Sequence, residues 1–94
     1  MIQLYRETGK HSVRIIGDDR NELLDEAMKY VTKETDFYKR YIAENLLKFN
    51  NSVISKHSNA FGDIIGIYYD PEHKISKEDA ENSDGREFYR KYGK

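Results

Sequence analysis

From Leu24 to Phe49 the apolar side chains return every three or four residues, through Met28, Val31, Thr35, Tyr38, Ile42 and Leu46. That spacing places them along one helix face, and Leu23, Ala27, Tyr30 and Tyr41 broaden the stripe. Asp19, followed three residues later by Glu22, supplies a capping-box variant at the start, and acids there also suit the positive end of the helix dipole. The pattern predicts helix over about 19–49. A continuous helix of that length would run about 45 Å, longer than one small domain needs. A break is therefore expected between Thr32 and Asp36, where the stripe carries only Thr35 and helix propensity is low.

The flanking segments read as strands. Ile2 and Leu4 alternate with Gln3 and Tyr5, and Val13 and Ile15 alternate with Ser12 and Arg14. Thr8-Gly9-Lys10 between them has turn chemistry, so a β-hairpin over roughly 2–16 is predicted. The run Ile64, Ile65, Ile67, Tyr68, Tyr69 is short, apolar and rich in strand formers, which makes Phe61 to Tyr69 a central strand. Val53-Ile54-Ser55 reads as a short strand or loop, and Lys56 to Asn59 as a turn or loop. Asp70-Pro71-Glu72-His73 is a turn with proline at its second position.

These elements predict an α+β domain. The hairpin and the 61–69 strand form a small antiparallel sheet, covered on one face by a long or broken amphipathic helix, with a short C-terminal helix or tail. The expected core is Ile2, Leu4, Val13, Ile15, Leu24, Met28, Val31, Tyr38, Ile42, Leu46, Ile65 and Ile67. With 94 residues the chain makes one domain, its α+β core over 1–75 and a charged C-terminal segment over 76–94 belonging to the same body. Leu, Ile, Val and Phe together are about 22% of the chain, near the disorder range, but twelve aromatics supply large buried areas.

The chain has no cysteine, which excludes disulfides, thiolate catalysis and cysteine-based metal sites and fits a reducing compartment. The start MIQLYRETGK has no leader-like apolar stretch, and nowhere do about eighteen apolar residues run together, so a cytoplasmic location is expected and no membrane. His11, His57 and His73 lie far apart and fit no metal-ligand spacing. Neither phosphate-binding glycine motif occurs, no serine sits in a nucleophile-elbow context, and the calcium-loop register fails at Ala80. No cofactor, metal or catalytic residue is expected, and His57 and His73 are the side chains an unrecognised hydrolase or nuclease would use.

Two features point to recognition. Phe37-Tyr38-Lys39-Arg40-Tyr41 and Arg86-Glu87-Phe88-Tyr89-Arg90-Lys91-Tyr92 interleave aromatics with cations, a pairing enriched at protein interfaces and able to stack bases. Residues 70–85 carry a net −4 and residues 86–94 a net +3, so the overall charge of −1 conceals two adjacent patches of opposite sign. Those patches either pair with each other or face a partner. The candidate contact residues are Lys39, Arg40, Tyr41, Asp79, Glu81, Asp84, Arg86, Tyr89, Arg90 and Tyr92.

The leading expectation is a non-enzymatic protein-binding module, a small intracellular inhibitor or adaptor that blocks a surface of a larger partner, such as a nucleic-acid-binding protein. A chain of this size and composition would be unsurprising among phage or mobile-element accessory proteins, including inhibitors of host defence such as anti-CRISPR proteins. The alternative is a small DNA- or RNA-binding regulator using the Tyr, Arg and Lys clusters. Homodimerisation offers a further way to gain core, through any tyrosine stripe the sheet leaves uncovered.

Overall fold

A computed structural model describes residues 1–6, 12–30, 36–48, 53–58 and 64–93. Among these the chain forms β1 (Gln3–Arg6), β2 (Ser12–Gly17), α1 (Arg20–Met28), α2 (Asp36–Lys48), β3 (Val53–Ser58), β4 (Ile64–Tyr69), α3 (Lys77–Asn82) and α4 (Gly85–Tyr92). The sheet order is β1-β2-β4-β3.

The α+β class is as expected, but the sheet is mixed. β1 pairs antiparallel with β2, and β3 antiparallel with β4, while the central seam between β2 and β4 is parallel. A parallel neighbour needs a crossover, and here α1, α2 and β3 intervene between the two central strands. The long helix predicted over 19–49 is also two helices. Asp19 caps α1 as expected, its side chain accepting the Glu22 backbone N–H at 3.0 Å. The helix then closes in a turn at Lys29 and Tyr30, whose N–H groups donate to Glu26 and Ala27 carbonyls. The expected break falls mainly at 32–35, outside the described residues.

The segment 56–58, expected as turn or loop, belongs to strand β3. It lies at the sheet edge, which is why no apolar run announced it: Lys56 reaches over the Tyr89 ring at 5.6 Å while His57 packs against Tyr41.

Alternation along β2 and β4 divides the core between the two faces of the sheet. Ile15, Ile65 and Ile67 point to one face, where Leu23 and Ala27 of α1 and Ile42 and Leu46 of α2 close over them. α1 is turned by one position from the expected stripe, so that Leu23 and Ala27 are buried while Leu24 and Met28 flank them. The helix approaches closely at Gly17, where a Cβ would come within 2.8 Å of Ile2 Cδ1 and 3.0 Å of Leu23 Cδ2. Leu4, expected in the core, is half exposed on edge strand β1. Val31 and the Tyr38 side chain lie outside the described residues.

Ile16 and Tyr68 point to the opposite face, and α3 and α4 cover them with Ala80 and Phe88. Within the 76–94 segment, α3 and α4 therefore supply a second layer. Phe88 meets Tyr68 edge-on at 4.6 Å between ring centroids and Tyr92 at 4.7 Å. Ser76 and Asp84 cap the two short helices by accepting the backbone N–H groups of Asp79 and Glu87.

Within this second layer lies Arg14, 1% exposed although strand alternation marks its face as polar. Its Nη2 donates to the carbonyls of Ala80 at 2.6 Å and Ser83 at 3.2 Å, satisfying groups at the C-terminal end of α3. The guanidinium carbon sits 4.2 Å from the Phe88 ring centroid. Nε and Nη1 are buried without a protein hydrogen-bond partner.

Phe88→Ala should remove this seat, costing about 3–5 kcal/mol, the usual range for emptying a buried aromatic position. Urea unfolding of the full chain checks it, and a loss below about 1 kcal/mol would mean that α4 contributes little to the fold.

Candidate functional site

The charged C-terminal cluster is tied together within the chain. Lys91 Nζ lies 2.6 Å from Asp79 Oδ2, and the Tyr92 hydroxyl donates to the same oxygen at 2.5 Å. The acidic and basic segments thus pair with each other at this point, across α3 and α4. Hydrogen bonds from Lys91 and Tyr92 hold the Asp79 carboxyl below its ordinary pKa. The bond to Asp79 raises the Lys91 pKa, while Tyr92 is pushed up first by burial and then by the same bond.

Other candidate residues here are also engaged by the fold. Asp84 is the α4 cap, Glu81 lies 3.9 Å from Lys77 one turn away, and Tyr89 is half-buried against the second core cluster. Arg86 and Arg90 stand exposed, one turn apart on α4. The helix sorts its residues by face: Gly85, Phe88, Tyr89 and Tyr92 lie inward, with the two arginines outward.

The second aromatic–basic cluster has a different character. Ile42 and Leu46 bury one side of α2, and on its outer flank Phe37 and Leu47 are each 68% exposed and Tyr41 39%. Arg40 and Lys48 are exposed among them, with Glu44 the acid in the group, while Lys39, also exposed, lies on another side of the helix. Positions 37, 40, 41, 44, 47 and 48 recur at three- and four-residue spacing, so they occupy one strip of the helix. Sequence reasoning placed Phe37 in the aromatic–basic cluster but carried only Lys39, Arg40 and Tyr41 into the contact residues, and it missed Leu47 as a surface group. The spacing of ten residues between Phe37 and Leu47 was the available signal, because the inner stripe through Ile42 and Leu46 leaves them on another side.

The histidines do not form a common site among the described residues. His57 is on β3 with its ring centroid 5.0 Å from that of Tyr41, and burial lowers its pKa. His73 stands in the loop after β4, with Nε2 3.6 Å from Asp18. Among the described residues, no group of three or more His, Cys, Asp or Glu side chains could hold a metal ion, and no helix is long and apolar enough to cross a membrane. Compared with family models, with curated proteins and with solved structures, the chain matches none.

The Asp79 tie has a definite pH signature. A carboxyl whose folded pKa lies below its unfolded value, about 3.9, stabilises fully above that value and loses its contribution as pH falls through the folded one. Lys91 and Tyr92 have raised folded values, so their share is complete below about pH 10 and is lost as pH rises through those values. Asp79→Asn should therefore lower the thermal midpoint at neutral pH, with the difference from the parent chain shrinking as pH falls below about 3.9. Thermal unfolding followed across the acid range checks this, and a difference independent of pH would show that the tie contributes no electrostatic stability.

Proposed function

We propose that the chain is a non-enzymatic protein-binding module, an inhibitor or adaptor that acts by covering a surface of a larger partner. The observation carrying this reading is the outer flank of α2, where Phe37, Tyr41 and Leu47 face water among Arg40 and Lys48. Large apolar side chains scattered singly over a surface need no explanation, but three gathered along one strip favour a contact surface. Aromatics and arginine are the residue types enriched where proteins meet, and here they sit on a helix anchored to the sheet by Ile42 and Leu46. Such a helix offers a rigid face, which lowers the ordering cost of association. The setting proposed is intracellular, with an accessory inhibitor of the phage or mobile-element kind as the narrower form of the reading.

A second reading has its own support. Arg86 and Arg90 point outward together on α4, and such a pair suits phosphate contacts in a small DNA- or RNA-binding regulator. Nucleic-acid affinity of that origin falls steeply with salt, so a titration series in rising salt separates the two readings.

Affinity capture from the native host with the full chain should retain one partner, and Phe37→Asp/Leu47→Asp should weaken that complex at least about tenfold, the effect of losing central hot-spot contacts. Both positions are exposed, so the variant should keep the parent's circular dichroism spectrum. A partner bound equally by parent and variant would move the interaction away from α2.

A further inference from the structure

The two faces of the sheet hold separate cores. The cluster under α1 and α2 is built on Ile15, Ile65 and Ile67, and the one under α3 and α4 on Ile16 and Tyr68, with no side chain common to both. α3 and α4 also follow the last strand, so lifting them breaks no strand pairing. The second cluster can therefore be given up with the sheet and the first cluster intact, an opening of the sub-global kind.

The contact that closes this layer is costly for its charged member. Arg14 carries a permanent charge and is 1% exposed, yet it meets neutral groups, the Ala80 and Ser83 carbonyls and the Phe88 ring. No acid pairs with it among the described residues, and its Nε and Nη1 have no protein partner. Buried cations are ordinarily paired, because a charge withdrawn from water without a counter-charge retains part of its desolvation cost. Lifting the layer returns that cost, since the whole guanidinium is then hydrated.

Other ties of the layer are internal or lie at its base. Asp79, held by Lys91 and Tyr92, joins α3 to α4. Asp70 fixes the chain as far as Ile75: its carboxylate accepts the backbone N–H groups of Lys74 at 2.7 Å and Ile75 at 3.0 Å, and its own N–H donates to the Gly17 carbonyl at 2.7 Å. Ser76 then caps α3. The change from anchored loop to capped helix falls between Ile75 and Ser76, which places a hinge there.

We propose that α3 and α4 are a cover that opens as one unit about this hinge, rehydrating Arg14 while the sheet stays folded. The closed form is the major state. Opening uncovers Ile16 and Tyr68 beside a cation, a surface that the closed chain does not present. None of the α2 residues takes part, so the device stands independently of the protein-binding reading.

Native-state hydrogen exchange of the full chain, read by NMR, tests the proposal. The amides of Ala80, Ser83 and Phe88, each bonded within the layer, should exchange with one common protection factor, at least about tenfold below that of the β2 and β4 amides. The Arg14 Nε–H should share that factor, because water reaches it only when the layer lifts. Phe88→Ala, a change in α4, should lower the protection of Ala80 and Ser83 in and beside α3 by the same factor as that of α4, about a hundredfold or more. Fraying would instead give protection that falls steadily from Ala80 to Phe88 and would leave the Arg14 Nε–H protected with the strands. That pattern, protection equal to that of β2 and β4, or a Phe88→Ala effect confined to α4 would each overturn the proposal. The comparison within the parent chain decides the matter even if the variant folds poorly.

Discussion

Arg14 joins the central strand pair to both helices of the second layer. Its guanidinium hydrogen-bonds to two carbonyls at the end of α3 and lies against Phe88 of α4, while its backbone sits in the central strand pair. Burying an ion costs several kcal/mol even after relaxation. Hydrogen bonds to a charged group at about 1.5–3 kcal/mol each and a desolvated cation–π contact of about 2 kcal/mol offset much of that. Docking of α3 and α4 is therefore a specific event: only a helix pair that presents those carbonyls and that ring compensates the buried charge.

The chain's charge balance follows from the same arrangement. A nearly neutral total with opposite patches in adjacent segments becomes, in the folded chain, an intramolecular tie from Asp79 to Lys91 and Tyr92 beside the Arg14 seat. One acid and one cation of those patches therefore join α3 to α4. Arg86 and Arg90 on α4, and the cations around the outer flank of α2, remain turned to solvent.

What was legible in the sequence was the locally determined part. The hairpin strands, the Asp19 cap and the burial of Ile15, Ile65, Ile67, Ile42 and Leu46 each depend on neighbours a few residues away or on simple periodicity. The parallel β2–β4 seam was not legible, because it pairs residues some fifty positions apart and alternation is the same whichever way a neighbour runs. Arg14 was hidden for a related reason: a cation between apolar strand residues implies a wet face, and only a distant covering layer reverses the implication. The ten named contact residues divided likewise. Those on α2 are exposed, whereas Asp79, Tyr89 and Tyr92 are occupied by contacts that spacing alone does not reveal.

The position of α3 and α4 at the end of the order of elements bears on how the chain is made. β2 and β4 are synthesised before residues 77–92, so the strands that carry the sheet's second face precede their cover in the chain. Before they are covered, Ile16 and Tyr68 share that face with Arg14, two residues along β2, and a hydrated charge beside exposed apolar strand residues discourages edge-to-edge or face-to-face aggregation. The side chain that later becomes the most demanding group in the core is, in the nascent chain, the gatekeeper of the surface it will help to bury.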